Sequence, residues 1–194
     1  MLFRSSFRSQ LSFQGENAFV KHRPLYLEIG FGNGLNLVRQ AEHYPSCNFI
    51  GCEIYESGIG STLINLKNRA IDNVRIAVGD ALETIEYLSL KSLDGVFILF
   101  PDPWPKKKHK KRRLVNENLL TNILSKLRKK GKFFFRTDNL EYYNNVIKII
   151  KKLIREEKKY ILKKYISKSL VQTKYHKKAH KFSNEIKSLE LTKK

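Results

Sequence analysis

The chain has 194 residues and a formal net charge of +20 at neutral pH, because 38 Lys and Arg residues face 18 Asp and Glu residues. This length suits one domain with a buried core, and the 41% of hydrophobic residues excludes a disordered chain. The charge favours a polyanionic partner, with nucleic acid ahead of an anionic membrane, and no apolar run is long enough to predict a membrane-spanning segment.

Predicted strands and helices alternate along most of the chain. The strands are expected at residues 25–29, 49–52, 74–78, 96–100 and 132–137. The helices are expected at residues 34–43, 57–69, 81–90, 114–129 and 140–153, with Gly131 ending the fourth. Two more strands, at residues 160–166 and 186–191, follow without a helix between them. The pattern predicts an α/β fold: a doubly wound, mostly parallel, seven-stranded Rossmann-like sheet with an antiparallel C-terminal strand pair.

The predicted domain covers residues 21–194, and residues 1–20 form a basic N-terminal arm. The first 15 residues are rich in Arg and Ser and lack acids, as in a transit peptide, but an arm that contacts nucleic acid is the favoured interpretation. Cys47 and Cys52 lie on or beside one strand, so no disulfide is expected between them, and a reduced, cytoplasmic setting fits. No metal site is predicted.

A glycine-rich turn follows the first long strand and opens the first helix. Glu28 precedes Gly30 and Gly32, where the absence of a Cβ lets a ligand approach the backbone. Glu53 ends the next strand, where an acid accepts hydrogen bonds from ribose hydroxyls. Asp80 ends the third strand, where a carboxylate can accept from an adenine amino group. Acids at three strand ends predict a nucleotide-binding crevice.

The turn favours S-adenosylmethionine over a nicotinamide dinucleotide as the cofactor. Glu28 stands where a pyrophosphate would be repelled but an amino group would be accepted. Leu35 occupies the position of the third glycine in the dinucleotide fingerprint.

A second motif, Phe100-Pro101-Asp102-Pro103-Trp104, leads directly into the basic run from Lys106 to Arg113. The run is expected to contact phosphates. An indole at Trp104 either stacks on a base or packs the loop onto the domain, and the sequence leaves both open.

Several collinear segments over residues 20–191 resemble the bacterial tRNA (guanine-N7)-methyltransferases. They are Glu28-Ile-Gly-Phe-Gly-Asn-Gly, Phe49-Ile-Gly-Cys-Glu-Ile, Gly79-Asp-Ala, the Pro-Asp-Pro-Trp motif with its basic tail, Thr137-Asp-Asn and Thr173-Lys-Tyr. The resemblance implies a class I methyltransferase that uses S-adenosylmethionine to methylate N7 of a guanine in the variable loop of tRNA, at tRNA position 46.

The resemblance also implies roles for individual residues. Asp102 is expected at the reaction centre. The cofactor-binding residues it implies are Glu28, Gly30, Gly32, Glu53, Asp80, Ala81 and Asp102. The substrate-binding residues it implies are Lys106, Asp138, Thr173, Lys174, Tyr175 and His176. Two positions depart from the family: His176 replaces a usual Glu, and Asn139 replaces a usual aromatic residue.

Guanine N7 carries a lone pair and no proton, so Asp102 suits stabilisation of the positive charge on the methylated base better than general-base catalysis. Two other functions remain open from the sequence. One is methylation of an exocyclic amine, and the other is RNA binding without catalysis on the same fold. The oligomeric state is not predicted.

Overall fold

A computed structural model describes residues 2–3, 19, 23–157, 159–164 and 185–194. Its strands are β1 (Leu2–Phe3), β2 (Leu25–Ile29), β3 (Asn48–Glu53), β4 (Val74–Val78), β5 (Leu93–Leu99), β6 (Leu127–Thr137), β7 (Tyr160–Lys164) and β8 (Lys187–Lys193). Its α-helices are α1 (Leu35–His43), α2 (Glu56–Asn68), α3 (Ala81–Glu86), α4 (Glu117–Lys126) and α5 (Leu140–Glu157), and a 3₁₀ helix covers Lys107–Arg112.

The strands form one sheet in the order β1-β4-β3-β2-β5-β6-β8-β7. Pairing is parallel from β1 to β6, whereas β8 runs antiparallel to both β6 and β7. This arrangement confirms the predicted doubly wound fold with its antiparallel C-terminal pair, and the two-residue strand β1 is an addition to the seven predicted strands. The strand order reverses at β2, so the crevice at the carboxyl ends of β2 and its neighbours is the expected ligand site.

Helices cover both faces of the sheet. Leu27 in β2 belongs to the apolar cluster that includes α4 and α5, whereas the neighbouring Tyr26 packs against the cluster formed by α1 and α2. Successive side chains of a strand point to opposite faces, and near-continuous apolar strands are therefore what a doubly covered parallel sheet requires. Among the described helices, none is long and apolar enough to cross a bilayer.

The predicted boundaries between the third helix and the fifth long strand are wrong. Helix α3 ends at Glu86 rather than residue 90. Helix α4 starts only at Glu117, where the Asn116 side chain accepts a hydrogen bond from the Leu119 amide, and it passes directly into β6. Gly131 therefore lies within a strand and does not end a helix. The cause is long-range: Leu127 fits the apolar period of the helix, but it pairs with Leu93 on β5.

Candidate active site

The parallel register brings the ends of four strands to one edge of the sheet. Ile29 at the end of β2 lies between Cys52 of β3 and Ile98 of β5, and Glu53 pairs with Val78 of β4. The predicted acids lie in the last residues of these strands or in the turns that follow them. The structure therefore places Glu28, Glu53, Asp80 and Asp102 in or directly after strands that end at this edge.

The glycine-rich turn leaves open space above its backbone. Gly30 and Gly32 have φ angles of +69° and +58°, and a Cβ added at either would meet no atom within 4 Å. At Gly34, by contrast, an added Cβ would lie 2.2 Å from the Thr62 hydroxyl of α2. The first two glycines thus border a space that a ligand can enter, while the third allows the turn to pack on α2.

Glu28 is a buried acid with a single hydrogen-bond donor among the described side chains. It is 5% exposed, and its Oε2 accepts a hydrogen bond of 2.8 Å from Asn36 Nδ2. Burial raises the pKa of Glu28 to about 8, and the hydrogen bond from Asn36 opposes this only in part. The Asn36 Oδ1 atom is also buried, without a partner in the described part of the chain. This arrangement fits a ligand with an amino group, which would hydrogen-bond to the carboxylate.

Glu53 holds the glycine-rich turn as well as facing the crevice. Its Oε2 accepts a hydrogen bond of 2.8 Å from the Gly32 amide, and its Oε1 accepts from the amides of Ile54 and Tyr55. Oε1 uses both of its lone pairs on these amides, but Oε2 accepts only from Gly32 and keeps one lone pair for a ribose hydroxyl. The sequence did not predict the contact with Gly32.

Asp80 caps α3. Its Oδ1 accepts hydrogen bonds from the amides of Leu82 and Glu83, at 2.8 and 3.4 Å. An Asp before the first residue of a helix is the usual N-cap signal, and it was available in the sequence. Ala81, the other residue expected there, is buried at the start of the helix. The hydrogen bonds from these two amides engage only Oδ1, so Oδ2 of Asp80 can accept a hydrogen bond from a ligand.

The Pro-Asp-Pro turn presents Asp102 to solvent. Asp102 is exposed, while Phe100 and Trp104 on either side of the turn have φ angles of +52° and +41°. Asp138 is half-buried directly after β6, and Asn139 caps α5 by accepting a hydrogen bond of 2.8 Å from the Tyr142 amide. The departure from the family at Asn139 therefore has a structural role in this chain.

Trp104 packs within the basic run. The His109 ring meets the indole edge-on with the ring centroids 5.8 Å apart, and the Arg112 guanidinium lies 5.0 Å from the indole centroid. These contacts favour the loop-packing role for Trp104, one of the two that the sequence left open.

The cations of the basic run divide into two groups. Lys110 and Arg113 form ion pairs with Glu141 in the first turn of α5, and these contacts, the one with Lys110 first, lower the pKa of Glu141. Arg113 is only 4% exposed, whereas the sequence led us to expect a whole run of cations available for phosphate contact. Exposed ammonium groups without a partner among the described side chains remain at Lys106, Lys107, Lys108 and Lys111.

Four of the predicted substrate residues, Thr173, Lys174, Tyr175 and His176, lie outside the described residues. Within the described ranges, no group of three or more His, Cys, Asp and Glu side chains could hold a metal ion. Sequence reasoning missed Asn36 and Arg113. Asn36 lies on the buried side of α1, where the apolar pattern gives no sign of a polar contact. Arg113 is one of several consecutive cations, and nothing in the sequence distinguishes it from the others.

Comparison with known proteins identifies the class and then the family. A model of the family described as "Putative methyltransferase" matches residues 22–189. A structure described as a putative methyltransferase from Streptococcus mutans in complex with SAH aligns over all of both chains with a TM-score of 0.60 at 11% identity, which shows the shared fold. The sheet and its glycine-rich turn are thus those of a class I methyltransferase.

The chain belongs to the family of bacterial tRNA (guanine-N7)-methyltransferases. The relative of that name from Buchnera aphidicola subsp. Schizaphis graminum is 40% identical over 174 residues, which are 88% of this chain and 72% of the relative. The relative of the same name from Wolbachia pipientis wMel is 35% identical over 175 residues, 89% of this chain and 76% of the relative.

Replacing Glu28 by Gln is expected to stabilise the ligand-free protein at high pH. Below pH 4.5 Glu28 is neutral in the folded and unfolded states, but between 4.5 and about 8 the unfolded chain loses a proton that the folded protein retains. The folding stability of the wild type therefore falls as the pH rises through this range. Glu28→Gln lacks the titrating group, so this part of the pH dependence disappears in the variant. The free energy of unfolding of Glu28→Gln relative to the wild type should therefore increase with pH, by about 1–4 kcal/mol in total above pH 8.

Urea unfolding of both proteins at pH 5, 7 and 9 measures this difference. Glu42→Gln is the matched control, because Glu42 is exposed and pairs with Arg69 on the surface. A stability difference for Glu28→Gln that stays constant across the three pH values would contradict the buried, proton-retaining carboxyl.

Proposed function

We propose that this protein transfers a methyl group from S-adenosylmethionine to N7 of a guanine in the variable loop of tRNA. The observation that carries the proposal is an exposed Asp102, with no ion-pair partner among the described residues, in the turn after β5. This strand pairs with β2, which leads into the glycine-rich turn, and a run of exposed lysines follows Asp102 directly. The relatives named as tRNA (guanine-N(7)-)-methyltransferases support it.

The residues at the strand ends fit the cofactor. S-adenosylmethionine, when bound, supplies a methyl group that is electrophilic because it is attached to a positively charged sulfur. Glu28 would accept from the amino group of the methionine part, and Glu53 from the ribose hydroxyls. Asp80 would accept from the adenine amino group. Open space above Gly30 and Gly32 leaves the ligand room to approach the backbone.

Asp102 and Asp138 would hold the guanine. The N1–H and exocyclic amino group of guanine are donors, so a carboxylate can accept from them while N7 on the other side of the base stays free. No residue has to remove a proton from N7. Methylation makes the base cationic, and a fixed negative charge at the guanine edge stabilises that charge as it develops. The main contribution of the chain is therefore positioning together with electrostatic stabilisation.

The exposed lysines would hold the sugar–phosphate backbone. Lys106, Lys107, Lys108 and Lys111 lie next to the Asp102 turn, so a tRNA strand bound to them is close to the reaction centre. Thr173, Lys174, Tyr175 and His176 are proposed as further substrate contacts on the family resemblance. The proposal includes a cytoplasmic location, a single domain over residues 21–194 and a basic arm over residues 1–20.

The direct test is methyl transfer to unmodified tRNA. With labelled S-adenosylmethionine, the tRNA should become labelled, and borohydride reduction followed by aniline should cleave it at one variable-loop guanine. Digestion to nucleosides should give labelled 7-methylguanosine. A labelled product other than 7-methylguanosine would contradict the N7 assignment. Absence of any cofactor binding in a calorimetric titration would instead favour an RNA-binding protein without catalysis.

Substitutions at the two ends of the site should have opposite effects. Asp102→Ala should lower kcat about 10²- to 10³-fold because it removes a fixed charge from the reacting base, with little change in the cofactor Kd. Glu53→Ala should mainly weaken cofactor binding, since it removes acceptors for the ribose and for the Gly32 amide. Calorimetry and single-turnover assays measure the two quantities. Parallel losses in both variants would show that the roles are misassigned.

A further inference from the structure

Arg113 differs from the rest of the basic run because its side chain points into the protein. It is 4% exposed, whereas Lys111 and Arg112 immediately before it are exposed. A cation that is to contact a phosphate has to reach solvent, and a charged side chain buried this deeply is usually engaged by protein groups.

Among the described residues, three groups contact the Arg113 guanidinium. Its Nε donates a hydrogen bond of 2.8 Å to the Pro103 carbonyl. Its Cζ lies 4.9 Å from the ring centroid of Tyr142, and its Nη2 lies 3.4 Å from Oε2 of Glu141. Arg113 thus connects the Pro-Asp-Pro turn to the first turn of α5.

The turn that carries Asp102 needs such a contact. Phe100 and Trp104 adopt left-handed φ angles of +52° and +41°, which cost bulky residues about 1–3 kcal/mol each and persist only where surrounding structure imposes them. Pro101 and Pro103 have no N–H with which to fasten the turn. Before Asp102, the Phe100 amide donates a hydrogen bond of 2.8 Å to the Arg136 carbonyl. After Asp102, Arg113 holds the Pro103 carbonyl.

Tyr142 contacts both Arg113 and the segment that follows it. Its side chain is fully buried, and its hydroxyl accepts a hydrogen bond of 2.8 Å from the Val115 amide, two residues beyond Arg113. Burial first of all raises the pKa of the Tyr142 phenol to about 12, and the negative charge of Asp102 adds to this rise.

We propose that Arg113 is a positioning residue for methyl transfer: it contacts no tRNA, and by holding the Pro103 carbonyl it fixes Asp102 against the guanine edge. The inference rests on the proposed function, because it assigns Arg113 to the reaction that Asp102 serves. It separates Arg113 from the exposed lysines of the same run, which bind phosphates.

Arg113→Lys is the sharpest substitution because it keeps the charge and much of the side-chain stem. A lysine has no Nε–H in the guanidinium plane and no flat group to lie over the Tyr142 ring. Displacement of Asp102 by about 1 Å is expected to lower kcat about 10- to 100-fold. The tRNA KM, the cofactor Kd and the salt dependence of tRNA binding should stay within about twofold of wild type, since the phosphate and cofactor contacts remain.

Two further variants complete the kinetic experiment. Arg128→Lys is the matched control, because Arg128 lies at the amino ends of the strands, where it binds the Ser92 carbonyl and Asp94. It should leave kcat unchanged. Tyr142→Phe keeps the ring beneath the guanidinium but removes the acceptor for the Val115 amide, so it should lower kcat less than Arg113→Lys. If Arg113→Lys instead raised the tRNA KM with kcat unchanged and reduced the log–log salt slope by about one, Arg113 would be a phosphate contact.

Trp104 supplies a readout that does not depend on activity. It is the only tryptophan of the chain, and it ends the turn that Arg113 is proposed to hold. Acrylamide quenching of its fluorescence should increase in Arg113→Lys and not in Arg128→Lys, with cofactor binding and thermal unfolding close to wild type. Unchanged quenching in Arg113→Lys would overturn the proposal even if its kcat fell, because the turn would then not depend on Arg113. Absence of methyl transfer by the wild type would count against the proposed function and leave this measurement intact.

Discussion

Parallel pairing of β2 with β3 and β5 is the constraint on which the candidate site depends. Because all three strands run in one direction, their carboxyl ends meet at one edge. Glu28 and Glu53 lie in the last two residues of β2 and β3, and Asp102 lies in the turn after β5. The strand order reverses at β2, which opens a crevice at its end. Main-chain hydrogen bonds between the strands thereby bring together residues that are far apart in the sequence, and side chains such as Glu53 hold the turns that follow.

Two features of the candidate site lower the stability of the folded protein. Glu28 is an acid buried with one hydrogen-bond donor among the described side chains, and Phe100 and Trp104 hold left-handed backbone conformations around Asp102. Both arrangements oppose folding, and both hold a carboxyl group in a fixed position before any ligand binds. Such local violations of folding rules are typical of functional sites, where the surrounding structure imposes them. Arg113 and Asn36 belong to that surrounding structure.

The sequence predicted the elements that local patterns control. The strands Leu25–Ile29 and Val74–Val78 match their predicted bounds, and the glycine turn and the strand-end acids lie where their order in the chain placed them. The predictions that were wrong concern residues whose structure depends on partners far away in the sequence. Leu127 continues the apolar period of α4 but pairs with β5, and Arg113 carries the same charge as its neighbours but turns toward Tyr142. No local pattern distinguishes a buried arginine from an exposed one within a run of cations.

A crystal structure of the protein with S-adenosylhomocysteine and a guanosine-containing oligonucleotide tests the central claim most directly. We expect the ligand's amino group to hydrogen-bond to Glu28, its ribose hydroxyls to Glu53 and the guanine N1/N2 edge to Asp102, with the phosphates on the exposed lysines. A guanine bound away from Asp102, or a ligand whose amino group does not reach Glu28, would contradict it.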